Sequence, residues 1–209
     1  MKHASRFALA VTAVMLWIPA AVHGHFNLIA PAATLVQNER GDPQKAGPCG
    51  GSNTDWGKRS GIVTKVTGGS DLHVKIQETI YHPGFYRIAL AVNSPTDLPL
   101  DPEAETKPSE RGPLSVSGKM AENAVPPVLK DGLFLHHERP AAGTQLPPWE
   151  IDVTLPNINC KKCTLQVIQF MEDHVFNNPG GFTYHHCAEL EIKADPKKFR
   201  TLGWPAETE

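Results

Sequence analysis

The chain has 209 residues with 20 Lys plus Arg against 22 Asp plus Glu, a formal net charge of −2, and neither sign is gathered into a long run. That balance excludes the basic footprint of a nucleic-acid binder, and a hydrophobic fraction of 40% is enough for one core in one domain. The 19 prolines and 17 glycines fall between short apolar runs, which favours many strands and loops over long helices.

The first predicted element is a targeting segment, residues 1–24, with Lys2 and Arg6 ahead of an apolar stretch from Phe7 to about Val22. Val22 and Gly24 suit the positions three and one before a signal-peptidase cut, so the mature chain is expected to begin His25-Phe26-Asn27-Leu28. The apolar stretch is too short to span a bilayer comfortably, and no later one is long enough. The reading is of a secreted or periplasmic protein, free of the membrane after cleavage and monomeric, with residues 25–209 forming a single domain.

From His25 to about Gly69 prolines and glycines break up the apolar pieces, and the expectation is a loop-rich region. Leu72, Val74 and Ile76 alternate with Asp71, His73, Lys75 and Gln77, the period-two pattern of a half-buried strand. After Pro83-Gly84, Phe85 to Val92 is a second strand, rich in aromatic and β-branched residues. Residues 94–148 carry many prolines and little periodicity, and read as a long functional or partly disordered connection. Ile151–Leu155, Cys163–Phe170 and Tyr184–Ile192 complete the predicted strands, and about 196–209 reads as a loose charged tail. Strands without intervening amphipathic helices predict an all-β fold, an antiparallel β-sandwich with long loops.

The four cysteines, Cys49, Cys160, Cys163 and Cys187, all lie in the exported part, and an even count there suggests two disulfides among three possible pairings. The single C-x-x-C, Cys160 to Cys163, has no second pair to complete a zinc site, and Thr164 stands where a haem attachment motif needs His.

Ten histidines are present, and eight of them follow Gly24: His25, His73, His82, His136, His137, His174, His185 and His186. At a free N-terminus His25 would offer an α-amino group and an imidazole to one ion, and nitrogen donors in a planar set suit Cu(II). His82 lies in Tyr81-His82-Pro83-Gly84-Phe85-Tyr86-Arg87, held by a rigid corner at a strand end. Tyr184 precedes Cys187 by three positions on the last predicted strand. Taken singly, these are an accident of cleavage, a turn histidine and a core aromatic.

Taken together, the exposed His25, the His82-Pro83-Gly84 corner and the Tyr184/Cys187 pair resemble the histidine brace of lytic polysaccharide monooxygenases. The resemblance spans nearly the whole mature chain. It implies an immunoglobulin-like β-sandwich, His25 and His82 as ligands of one copper, Tyr184 as its axial neighbour, and a Cys49–Cys187 disulfide, leaving Cys160–Cys163 as the second. It also implies copper-dependent oxidative cleavage of a polysaccharide such as chitin or cellulose, with an external electron donor. Phe26 and Glu189 depart from the better-known members and point to an outlying bacterial-type branch.

A polar group that positions the oxygen species is sought among Gln169, Glu172, His174, His185 and His186. His186 shares strand parity with Tyr184, and it and Gln169 are the preferred choices. His136-His137-Glu138 resembles a second metal cluster but reads as part of a solvated loop. Trp56, Trp149 and Trp204 make no visible aromatic platform. Two other readings stand beside oxidative cleavage: a histidine-brace copper carrier that does not oxidise glycans, and a metal-independent glycan-binding sandwich.

Overall fold

The computed structural model describes residues 25–141 and 143–206; the predicted targeting segment and its cleavage point lie outside the described residues. Among the described residues ten strands are present: β1 (His25–Ala30), β2 (Val63–Thr67), β3 (Asp71–Ile80), β4 (Gly84–Ala91), β5 (Ala104–Lys107), β6 (Leu114–Gly118), β7 (Val128–His136), β8 (Trp149–Thr154), β9 (Cys160–Met171) and β10 (Thr183–Lys193). The only helical piece among the described residues is a single turn at Pro95–Asp97, so none is long and apolar enough to cross a membrane.

The protein is an all-β sandwich. One sheet has the order β1-β3-β8 and the other β2-β10-β9-β4-β7, with β5 and β6 forming a separate hairpin. Neighbouring strands pair antiparallel except β2, which runs parallel to β10, so the larger sheet is mixed rather than wholly antiparallel. Alternation decides which side chains face inward. Leu72, Val74 and Ile76 of β3 meet Tyr86, Ile88 and Leu90 of β4, Leu165 and Val167 of β9, and Tyr184, Ala188, Leu190 and Ile192 of β10 in one core.

The outer face of the larger sheet is covered as well, and this explains why β4 is buried along its whole length. The His185 amide donates to the Gln44 carbonyl at 2.8 Å, and Gln166 Nε2 donates to the Pro48 carbonyl at 2.8 Å. Cys49 is joined to Cys187 across the same face, and Cys160 to Cys163. Closing a loop with a sequence separation of 138 residues contributes about 5 kcal/mol in the chain-entropy model.

Three expectations are corrected. The region from His25 to Gly69 is not all loop, because β1 and β2 lie within it; each is short and Pro/Gly-bounded, which hides its period. Residues 94–148 are not one unstructured connection, because they hold the β5–β6 hairpin and all of β7. Gly132 and Phe134 sit at positive φ, 63° and 52°, inside β7, and such irregularities break the alternation that would have revealed it. The stretch from Asp195 to Thr201 is tied down: Asn157 Nδ2 donates to the carbonyls of Asp195, Lys198 and Phe199, and the Thr201 amide donates to the Asn157 carbonyl.

Gly84 is required where β4 begins. Its φ is +143°, and an added Cβ would collide with the Phe170 carbonyl on β9. Gly84→Ala is expected to cost about 1–3 kcal/mol and to displace the adjoining His82; an unchanged urea midpoint would show that the two strands can separate at no cost.

Candidate metal centre

Strand pairing brings residues from both ends of the chain to one end of the sandwich. His25, the first residue of β1, pairs with Ile80 at the end of β3, and His82 follows two residues later at the β3–β4 corner. His174 lies between β9 and β10, and Tyr184 is the second residue of β10. Their rings form an arc. His82 and His174 have centroids 4.9 Å apart, His174 and Tyr184 6.1 Å, and Tyr184 and His25 5.2 Å.

Hydrogen bonding and burial set the protonation of these groups. The Pro83 carbonyl lies 3.4 Å from His82 Nδ1 and accepts its proton, so Nε2 carries the lone pair. Burial pushes the His82 pKa down to about 4, the Pro83 contact only partly opposing it. Near neutral pH the ring is therefore an uncharged nitrogen donor. His25 Nε2 faces Asp42 Oδ1 at 3.5 Å, which leaves Nδ1 as the nitrogen nearest its own backbone nitrogen. The contact with His25 holds the Asp42 carboxyl below the ordinary carboxylate range, against the effect of burial. Burial drives the Tyr184 hydroxyl up, offset in part by Asn177, so it stays protonated.

His174 is fixed through its backbone. Ser115 of β6 accepts from the His174 amide at 3.1 Å, donates its hydroxyl toward the Met171 carbonyl at 2.7 Å, and is itself fully buried. The β5–β6 hairpin, invisible to strand patterning, thus serves to hold the loop that carries His174.

Behind the arc lies a buried ionic network that sequence reasoning missed. Glu78 of β3 is 3% exposed. It accepts hydrogen bonds from Gln169 Nε2 at 2.6 Å, Tyr86 Oη at 3.2 Å and His136 Nε2 at 3.2 Å. The same His136 nitrogen donates to the His82 carbonyl at 2.7 Å, while Nδ1 donates to the Phe134 carbonyl. With acceptors facing both ring nitrogens, the geometry favours the imidazolium form of His136: burial opposes the charge, yet Glu78 and the carbonyls raise its pKa overall. His136 is therefore not in a solvated loop, as expected, but at the inner end of β7, clamping the backbone of His82. Its former companion His137 is exposed and bonded to Glu172 at 2.8 Å.

The remaining predicted residues are dispersed. Gln169 belongs to the Glu78 network. His186 donates from Nε2 to the Phe26 carbonyl at 2.9 Å and meets the Phe26 ring edge-on at 4.7 Å, so its contacts are with the residue after His25. His185 points to the outer face, where Nε2 meets Asp101 at 2.8 Å.

Among the described residues no group of three or more His, Cys, Asp or Glu side chains is arranged to hold a metal ion. A brace asks less of side chains: two imidazoles, with an α-amino group as the third nitrogen. The donor chemistry of His25 and His82 fits that demand: both are imidazoles at the same end of the sandwich, and His82, neutral with Nδ1 against the Pro83 carbonyl, presents Nε2 as a donor. Comparison of the chain with protein-family models and with curated proteins returned no match.

Proposed function

We propose that the exported protein, cut before His25, is a histidine-brace copper protein that oxidatively cleaves a polysaccharide. The arc of His25, Tyr184, His174 and His82 at one end of the sandwich carries this reading. The α-amino group and Nδ1 of His25 and Nε2 of His82 would hold one copper, with Tyr184 beside it. Bound copper would supply one-electron redox chemistry, taking electrons from an external donor and using peroxide or dioxygen to oxidise a sugar carbon.

The protein's own residues do the positioning. Asp42 fixes the His25 ring through Nε2, and the Pro83 carbonyl and the His136 imidazolium hold His82 from its two sides. His174, next to His82, is the residue of this site best placed to carry a proton to or from a reacting oxygen. The Tyr184 hydroxyl remains neutral.

Intact mass of the secreted protein should give a chain starting at His25, and calorimetry with EPR should find one Cu(II) per chain. His82→Ala should weaken copper binding by more than the roughly 10- to 100-fold that loss of a supporting outer contact costs. Asp42→Asn should fall within that range, and His137→Ala should change nothing. Parental affinity and spectrum in His82→Ala would end the brace reading. Oxidised oligosaccharides released from a polysaccharide panel with a reductant support the enzyme, whereas copper binding without them makes the protein a copper carrier.

A further inference from the structure

On the outer face of the larger sheet a cavity of about 560 Å³ opens beside Trp56, away from the arc of histidines. Trp56 is 70% exposed, and it is a lining residue of this cavity rather than an isolated surface side chain. It is also rigidly held. Ser52 donates its amide to the Asp55 carbonyl at 2.6 Å, Gly57 donates to Asp55 Oδ1 at 2.8 Å, and Leu35 bridges Arg59. The indole lies over Gly51, where an added Cβ would come within 3.0 Å of the ring. Trp56 is thus presented by a fixed loop, so little entropy is lost when a ligand settles on it.

We infer that this cavity is a saccharide-binding site, in which Trp56 stacks on the C–H face of one pyranose ring. The other lining side chains suit a neutral polyhydroxyl ligand. Arg59, Lys162 and Asn93 bring donors, Glu189 an acceptor, and Thr164 a hydroxyl that serves as either. Cations and a carboxylate are interspersed, so neither an anionic nor a cationic ligand is selected by charge. The volume lies within the range of small-molecule sites, and a single indole in a walled cavity suits one glycan chain rather than a flat crystal face.

The site is separate from the histidine arc. Glu189 and Tyr184 are five positions apart on β10, roughly 17 Å, and face opposite sides of the sheet. Binding here needs no metal and does not depend on the copper reading.

Calorimetric titration of the mature protein with cellohexaose, chitohexaose, xylohexaose and maltohexaose tests the site, with chelator present throughout. At least one should bind, and Trp56→Ala should lower its affinity about tenfold or more at an unchanged unfolding midpoint. Trp56→Tyr should restore part of the affinity. His82→Ala should bind the sugar like the parent, and so should Phe199→Ala, which removes an aromatic that is 99% exposed elsewhere. No binding by the parent to any of the four, or equal binding by Trp56→Ala, overturns the inference; so does a fixed loss of binding in His82→Ala, which would place the sugar at the histidine arc instead.

Discussion

Glu78→Ala should destabilise the protein by roughly 3–5 kcal/mol, the cost of removing one partner from a buried ion pair. Glu78 is enclosed, with its side chain 2% exposed against 11% for His136, and it receives three donors from three different strands. Without it, the His136 imidazolium keeps its charge in a low-dielectric setting or gives up a proton and one of its carbonyl contacts. Gln169 and Tyr86 each lose an acceptor at the same time. Because His136 also donates to the His82 carbonyl, copper affinity should fall alongside stability.

Glu78→Gln keeps the shape and an acceptor for Gln169 and Tyr86, so it should cost less than the alanine variant. A double-mutant cycle between Glu78→Gln and His136→Gln isolates the pairing, which should couple by at least about 1 kcal/mol. Urea unfolding reads both. A loss below about 1 kcal/mol in Glu78→Ala would mean that Glu78 and His136 form no buried ion pair.

How far the site was legible follows from what alternation can report. Strand β3 was recognised from Leu72, Val74 and Ile76, and continuing the same parity by one step reaches Glu78, an acidic residue on the inward side. That violation of the pattern is itself the signal for a buried carboxylate, and ending the strand at Gln77 concealed it. Gln169 breaks the inward series Leu165, Val167, Met171 of β9 in the same way, and the two side chains meet. The His82-Pro83-Gly84 corner was legible because Pro and Gly mark it, although Gly84 acts by close approach to β9 rather than as a simple turn.

Other parts carried no local signal. Strand β1 is six residues long and is set by pairing with β3 across the 40 residues that separate the two strands, which no window around His25 contains. Asp42 was missed because an aspartate before a proline is ordinary in a loop, and only the fold of residues 31–51 carries it to His25. His136 was misplaced because the positive φ at Gly132 and Phe134 bends β7 and breaks its period. Trp56 was noted for its type alone, since exposure is decided by what the surrounding loop packs against.

Metal-free protein should lose stability steadily as pH falls from about 6.5 to about 4, before most carboxylates titrate. Two histidines impose this. Burial depresses His82 and His186 to about 4 each, with His186 also repelled by the neighbouring His185. In the unfolded chain both titrate near 6.5. Between those values the unfolded state binds more protons than the native state, so stability increases with pH and acid removes it. Each depressed histidine accounts for up to about 3 kcal/mol across that window. Asp42, with its carboxyl held low by His25, adds a loss of the same sign at lower pH, in the carboxylate range. His136 acts in the opposite sense: its raised pKa favours the native state below the ordinary histidine range, and that gain fades as pH rises, so it blunts the profile without reversing it. His186→Gln separates the contributions. A glutamine amide can still donate to the Phe26 carbonyl, as His186 Nε2 does at 2.9 Å, but it cannot be protonated, so the variant should lose stability at neutral pH yet show a shallower decline on acidification. Urea midpoints measured at several pH values from about 7.5 down to about 4.5 would decide it: parallel profiles for the parent and His186→Gln, or a flat profile for the parent, would show that these rings are not held neutral by burial.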